Sequence, residues 1–491
     1  MTSSDSSQIR GAVLTGARVV LLAGPMALAF FTGGYFDGPR ITAGLIAWAL
    51  VAVAAIAFVR PIPLGPGAKP ALIGLALLAA WTLLSMTWAP IAGTAYHDGQ
   101  RLLLYLGVLL AGAALLRTPA AQRAVEPVLA AGALIVIGYG ISERLLPGVL
   151  HFSSSVSAQG RLEQPLTYWN AMGEVAAIGF VLAARLAGDA RRPSAVRLAA
   201  AGAAPTLGLG LYLSFSRGAL FACAAGLVTL IVIAPQRALA LAIARALAAA
   251  VVAALISAPF KGVTSLAGSA GSRERGGAVV LIAMVVITSL AVLAQRRLQA
   301  SEPAGDLPLP ARAPLVATLV VCAGLALAIV VGAKEGSAQP LAAGSSRLVS
   351  LQSNRYAYWR VALRAFGDEP LRGVGAGGWS VYWLRYRPSA EGAQDAHSLE
   401  LQTAAELGIV GLVLLAAFLA GIGLAARAAH RLAPGLAAGA IAGCVVYLAH
   451  SPLDWDWEMP AVTLIALVLA GSLLAFPEAL AARRGPAVRN G

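Results

Sequence analysis

The sequence predicts an all-α, polytopic integral membrane protein with about 12–14 transmembrane helices and one long extracytoplasmic loop containing short helices. Three observations carry that fold class. Of the 491 residues, 59% are hydrophobic and only 12% charged, where a soluble globular chain has roughly a quarter charged. Apolar stretches of about 17–25 residues, long enough to cross a bilayer, recur from one end to the other. The stretches are continuous, which excludes a β-barrel built from alternating strands of roughly ten residues.

Taken in order, the candidate spans fall near 11–32, 41–59, 71–88, 102–116, 125–142, 169–184, 198–213, 218–234, 238–258, 277–295, 313–333, 405–426, 433–449 and 460–480. The first, preceded by Arg10 and followed by "FFTGGYFDGPR", shows no small-residue cleavage site and is expected to be a retained span. A polar break or re-entrant segment within 198–234 or 238–258 would change the number by two. Cys223, Cys322 and Cys444 lie inside apolar runs without CxxC spacing, a pattern for neither a disulfide frame nor a metal site.

The formal charge of +14 comes from 36 Lys+Arg against 22 Asp+Glu. In a soluble chain that excess would raise nucleic acid as a partner; here the arginines sort by side of the membrane. With a cytoplasmic N-terminus, Arg10, Arg60, Arg117, Arg185, Arg192, Arg297, Arg427 and Arg483 all fall inside, while the short outer loops are poor in Lys and Arg, as the positive-inside rule requires. Both termini are then cytoplasmic. The exception is residues 334–404, a long outer loop between an N-terminal bundle of about eleven spans (1–333) and about three C-terminal spans with a cytoplasmic tail (405–491). Long loops escape the charge rule, yet this one carries Lys334, Arg347, Arg355, Arg360, Arg364, Arg372, Arg385 and Arg387. "SEPAGDLPLPARAP" (301–314) is a Pro-rich cytoplasmic connector.

Polar residues gather on the outer side. Arg217 sits in "LSFSRGAL" at a membrane edge, and "RLEQPLTYWNAMG" sets Arg161 and Asn170 at the outer start of a span. "HSPLDWDWEMP" sets His450, Asp454 and Asp456 in the last outer turn. Each alone reads as a capping or snorkelling residue; together, beside a cationic loop, they point to one outward-facing site. Within the loop, Tyr358, Val361, Ala362 and Ala365 recur at helical spacing from Arg355, with Trp359 flanking. "DEPLRGVGAGGW" ends that helix as a structural turn, since it lacks the Lys-Ser/Thr ending of a phosphate loop. Arg355 and Arg217 can form a guanidinium clamp suited to phosphate.

"DAHSLELQTAAELGIVGLVLL" (395–415) leads into the next span. Asp395 as N-cap would put His397 in the first helical turn, where the dipole favours a neutral ring able to act as a base. Glu400, three residues on, is then expected to hydrogen-bond one ring nitrogen. Glu406 lies roughly 13 Å deeper and is expected to be a structural carboxylate, paired with an arginine.

In this order, "SFSRGAL", "NRYAYWRVAL…DEPLRGVGAGGW" and "AHSLELQTAAELGIVGL" resemble the O-antigen ligase / O-antigen polymerase superfamily, and "QPLTYWNAMG" and "LDWDWEMPA" look like further signatures over roughly 155–465. The resemblance implies a metal-independent, cofactor-free, inverting glycosyltransferase of the bacterial inner membrane, active on its extracytoplasmic face. Its donor would be a glycan on undecaprenyl diphosphate, and its acceptor a hydroxyl of lipid A-core (ligase) or another lipid-linked repeat unit (polymerase). Membrane lipids and polysaccharide-assembly proteins would be its other partners, and nucleic acid would not. Matched by motif, Arg217 and Arg355 bind the donor diphosphate and His397 activates the acceptor, with Glu400 beside it. Arg161, Asn170, Arg360, His450, Asp454 and Asp456 are candidates for lining the substrate. The ligase is favoured over the polymerase. A transporter would call for paired midplane sites and repeated halves, which the sequence does not display; a non-catalytic scaffold would make His397 dispensable.

Overall fold

The computed structural model describes residues 3–62, 65–301, 305–310, scattered positions between 312 and 323, and 354–484. Among these, all extended regular structure is helical. In chain order the helices are α1 (Ser3–Ala29), α2 (Asp37–Ala57), α3 (Ala68–Leu84), α4 (Ala92–Leu115), α5 (Pro119–Leu145), α6 (Trp169–Gly188), α7 (Ser194–Leu213) and α8 (Arg217–Ile233). Then follow α9 (Arg237–Ser257), α10 (Lys261–Thr264), α11 (Ala270–Ala300), α12 (Arg355–Asp368), α13 (Gly378–Tyr386), α14 (Leu399–Leu432), α15 (Pro434–His450) and α16 (Pro460–Arg484).

Among the described residues, eleven helices are long and apolar enough to span a membrane, and the apolar α8 and α15 are shorter. The protein is thus a polytopic α-helical membrane protein. The region 198–258 resolves into three separate helices, α7, α8 and α9. The span expected at 313–333 falls almost wholly outside the described residues, as do Lys334 and Arg347.

α6 is the axis of the bundle. Every residue from Asn170 to Gly188 is buried, and α5, α7, α8, α9 and α15 pack around it. Its run of Ala and Gly is what lets so many neighbours approach, since small side chains allow close helix contact where lipid offers no hydrophobic drive. α3 packs along α14, and α4 lies between α2 and α16.

The charges divide between the two ends of the bundle. At one end Arg10 reaches the carbonyl of Ala57, Arg117 pairs with Glu478 at 3.1 Å, Arg185 with Asp189 at 2.9 Å and Arg192 with Glu126 at 2.7 Å. The other end carries the loop that contains α12 and α13. α12 buries Tyr358, Val361, Ala362 and Ala365, the face that its helical spacing predicts, against the stacked rings of Trp379 and Trp383.

The expected continuous helix into the membrane is broken. Inside α14, Gly408 has φ 64° and ψ −162°, a region that only glycine occupies readily. The Gly-rich turn clasps the break: Val374 N–H donates to the Ala405 carbonyl (2.9 Å), Gly375 N–H to Glu406 (2.8 Å), and Ile409 N–H to Pro370 (2.9 Å). The break coincides with the onset of the hydrophobic run at Leu407. The outer piece, Leu399–Leu407, belongs structurally to the loop, and the inner piece to the bundle.

Candidate functional site

Three helices at the loop end begin with the same local geometry. Thr167 (φ 63°), Phe215 (φ 48°) and His397 (φ 52°) hold the left-handed backbone rare for non-glycine residues. Each is followed by an extended N-cap residue: Tyr168 for α6, Ser216 for α8 and Ser398 for α14. Ser216 and Ser398 accept from the N–H three residues on, the usual satisfaction of a first-turn donor. All three turns meet at one cavity of about 630 Å³, to which α12 brings its own N-terminus with Asn354 and Arg355. Backbone strain of this kind concentrates where the surrounding structure imposes it. Here its effect is to aim the N-termini of α6, α8 and α14, each with the positive end of a dipole, into the space that the N-terminus of α12 also faces.

Arg217, Arg355 and Arg161 line that cavity. Arg355 Nη2 donates to Asp454 Oδ2 at 2.7 Å, while Tyr168 Oη donates to Asp454 Oδ1 at 2.6 Å and Asn170 Nδ2 donates to Tyr168 Oη at 2.7 Å. Burial pushes the Asp454 carboxyl up, but Arg355, His397, His450 and the Tyr168 hydrogen bond together outweigh it and hold the carboxyl below its usual range. Arg161 is fixed by the carbonyls of Ala158 (2.7 Å) and Ser157 (2.6 Å), with its guanidinium 3.5 Å from the Trp169 ring centroid. The walls also carry Tyr35, Tyr358, Phe215 and Trp455, and two carboxylates, Glu391 and Asp395.

His397 lines the same cavity as Arg217 and Arg355, joining three segments more than forty residues apart in sequence. Its placement corrects the expected first-turn position. Ser398, not Asp395, is the N-cap, so His397 precedes the helix. Its ring orientation comes from the backbone: Nδ1 lies 3.0 Å from the Asp395 carbonyl oxygen. A carbonyl can only accept, so the proton sits on Nδ1, leaving the Nε2 lone pair available. Glu400 does not provide this contact. It lies 3.4 Å from Ser398 Oγ and is not part of the cavity wall. The Asp395 side chain accepts from Gln402 Nε2 at 3.2 Å; its burial raises its pKa, partly offset by Gln402 and His397.

Four other candidates stand apart. Arg360 is on the exposed face of α12. Asp454 supports the wall from behind without lining it. His450 and Asp456 are fully buried, with Nδ1 of His450 2.6 Å from Asp456 Oδ2 and 3.2 Å from Glu174 Oε2. Among the described residues, Glu174, His450 and Asp456 form the group that could hold a metal ion, each offering one ligand atom within 4.8 Å of the others. The 2.6 Å separation is that of a hydrogen bond, and a shared proton closes the cluster equally well. Glu174 was invisible in the sequence because an apolar run hides which helix face meets another.

Glu406 has no arginine partner among the described ion pairs. Its Oε1 accepts the N–H of Trp379 at 3.3 Å, so the Gly-rich turn encloses a carboxyl group of the protein itself. Asp395, Tyr168 and Trp455 are the site residues that the sequence reading passed over as a cap, a motif residue and a crowded turn.

Residues 260–416 match the model of a family described as O-Antigen ligase. That stretch is about a third of the chain; it includes Arg355 and His397 and stops short of Arg217 and Asp454. No curated protein matches the chain.

Proposed function

We propose that the protein is a membrane glycosyltransferase of the O-antigen ligase type, which transfers a glycan from undecaprenyl diphosphate to an acceptor hydroxyl on the extracytoplasmic face of the bacterial inner membrane. The observation that carries this reading is the single cavity in which Arg217, Arg355 and His397 meet. The family match over 260–416 supports it for the loop and its junction with α14.

In the proposed reaction the acceptor oxygen attacks the anomeric carbon as the bond from that carbon to the phosphate oxygen breaks. The proton of the acceptor hydroxyl passes to Nε2 of His397. Undecaprenyl diphosphate leaves with the bonding pair, and attack opposite the leaving group inverts the anomeric centre. Charge grows on the phosphate oxygens, where Arg217, Arg355 and the first-turn N–H groups of α8 and α12 act as preorganised donors. Asp454 keeps Arg355 extended toward the cavity before the donor arrives. The residues named supply both acid–base and electrostatic functions, and no step is assigned to the Glu174–His450–Asp456 cluster.

The test is transfer by purified protein from a glycan-bearing undecaprenyl diphosphate to candidate acceptors. Loss of a positioned general base is worth about 10²–10⁴ in rate, so His397→Ala is expected to lower kcat by that range while donor binding persists. An unchanged rate in this variant removes His397 from the chemistry. The identity of the product, glycosylated lipid A-core or a lengthened lipid-linked chain, separates ligase from polymerase.

A further inference from the structure

A second cavity, of about 610 Å³, opens between α1 and α2 on the lipid-facing side of the bundle. Small residues hollow it out: Gly24 and Ala27 on α1, Ala43 and Ala47 on α2. A Cβ placed on Gly24 would meet no atom within 4 Å. Pro25, inside α1, lacks the N–H that would bond the Leu21 carbonyl and so relaxes the helix at this point. The floor is Val108 of α4 and Leu464 of α16. Its lining is hydrocarbon apart from Thr42, whose hydroxyl is taken by the Gly38 carbonyl at 2.9 Å. Nothing in it can recognise a sugar.

The depth and the position of this groove argue for its occupant. Its wall along α1 runs from Val19 to Leu28, about 14 Å of helical rise, with Phe31 just beyond the helix end, against roughly 15 Å for half a bilayer's hydrocarbon. It therefore spans one leaflet, at the end of the bundle that carries His397. Its rim is Phe31; four residues later Tyr35 and Phe36 line the polar cavity. The short turn Thr32–Gly34 between them presses on the cavity wall, where a Cβ on Gly33 would collide with Met459 Sδ. Tyr35 also stacks edge-on against Trp455 at 5.5 Å. One turn of chain separates hydrocarbon from the arginine-lined space.

We propose that the α1–α2 groove holds the polyprenyl chain of the lipid-linked donor while its diphosphate lies in the cavity. This rests on the cavity's being a polyprenyl-diphosphate site. In such a donor the chain is bonded to the diphosphate itself, so it must leave the cavity immediately, and the Phe31–Phe36 rim is an adjoining apolar exit. An acceptor offers a hydroxyl with glycan between it and any lipid, and so needs no groove at this distance.

The test compares donors that bear the same glycan diphosphate on a long undecaprenyl chain or on a short geranyl chain. Ala27→Trp fills the groove from an exposed position, and Leu45→Trp, on an exposed face of α2 outside the groove, is the control. Ala27→Trp is expected to raise KM for the long-chain donor about tenfold, leaving kcat and the geranyl donor unchanged, while Leu45→Trp changes neither. Equal effects on both donors, or none on either, overturn the proposal and leave the groove a contact for bilayer lipid. A photoreactive undecaprenyl diphosphate without glycan provides a readout independent of transfer: labelling within 19–31 and 39–50, or at the floor residues Val108 and Leu464, supports the groove, and labelling elsewhere overturns it. A wild-type protein that is labelled there but transfers from neither donor would refute the glycosyltransferase reading and retain the groove.

Discussion

Gly408→Ala tests whether the broken helix is what holds His397 in place. At φ 64° and ψ −162° an alanine is strained by about 1–3 kcal/mol. Its Cβ would also sit 2.4 Å from the Leu371 carbonyl oxygen and 2.5 Å from its carbon, so the clasp must open. That forfeits the bonds from Ile409 to Pro370 (2.9 Å) and from Val410 to Leu371 (3.4 Å), each worth about 0.5–1.5 kcal/mol. The sum is roughly 2–6 kcal/mol, or about 30-fold to beyond ten-thousand-fold in the ratio of clasped to open forms. The inner piece of α14 is packed along α3 and cannot yield, so the displacement falls on the turn at 370–377 and on the outer piece with His397.

Hydrogen exchange reads the first consequence at the amides of Val374 and Gly375, which bond the carbonyls of Ala405 and Glu406; their protection should fall by the same factor. Transfer kinetics read the second. The rate kcat should drop at least tenfold with a smaller change in donor KM, because Arg217 belongs to α8 and Arg355 is held by Asp454. Gly423→Ala, in the same helix with nothing within 4 Å of the new Cβ, should alter neither. If Gly408→Ala keeps both protection and kcat, the clasp does not position the base.

Three further outcomes follow from the same geometry. Arg217→Ala and Arg355→Ala should each weaken donor binding by roughly 10- to 150-fold, the equivalent of about 1.5–3 kcal/mol for a charge-assisted hydrogen bond; unchanged affinity in titration with undecaprenyl diphosphate would remove that arginine from the clamp. Against its burial, Asp454 is held below the usual carboxylate range by Arg355 with His397, His450 and Tyr168, so its contribution to stability is complete above about pH 4 and fades only as pH falls through the lowered value. Asp454→Asn should therefore show a lower thermal midpoint than wild type by a constant amount between about pH 5 and 7, a gap that narrows only under stronger acid; a gap that narrows already near neutrality would contradict this pairing. Transfer should survive excess EDTA, with elemental analysis finding no stoichiometric metal in the active protein. Loss of activity that a divalent cation restores, and that Glu174→Gln abolishes, would assign a metal to the buried cluster instead.

The fold class was legible because burial in a membrane imposes composition and length directly: thirteen of the spans marked in the sequence recur as eleven long and two shorter apolar helices. Arg217, Arg355 and His397 were legible because polar residues at the mouths of apolar helices are rare enough to stand out. What lay beyond the sequence was local geometry. The residue types at 395–398 allow either Asp395 or Ser398 as N-cap, and the choice depends on His397 adopting a left-handed backbone that only the packed site enforces. That single shift replaced Glu400 with a backbone carbonyl as the source of ring orientation. The burial of His450 and Asp456 was likewise hidden, because their partner Glu174 comes from the second turn of α6, within what the sequence shows as an apolar run.

The nature of the ligand follows from how the charges are arranged more than from how many there are. A cavity for a neutral glycan alone would gain nothing from arginines, since desolvating a guanidinium needs a strong partner in return. Here Arg355 already has Asp454 as a counter-charge on its far side, so it is held in place without being neutralised at the cavity face. The first turns of α6, α8 and α12 add positive potential from three directions, with aromatic rings at Tyr358, Trp455 and Tyr35 between them. Positive donors on one part of the wall and aromatic faces on another suit a ligand that is anionic at one end and carries sugar at the other. In the proposed transfer, His397 Nε2, free in the tautomer set by the Asp395 carbonyl, would accept the proton that is released. In the proposed reaction a leaving diphosphate would satisfy the first requirement and an attacking hydroxyl the second, and the wall proposed to bind the donor would also favour its departure.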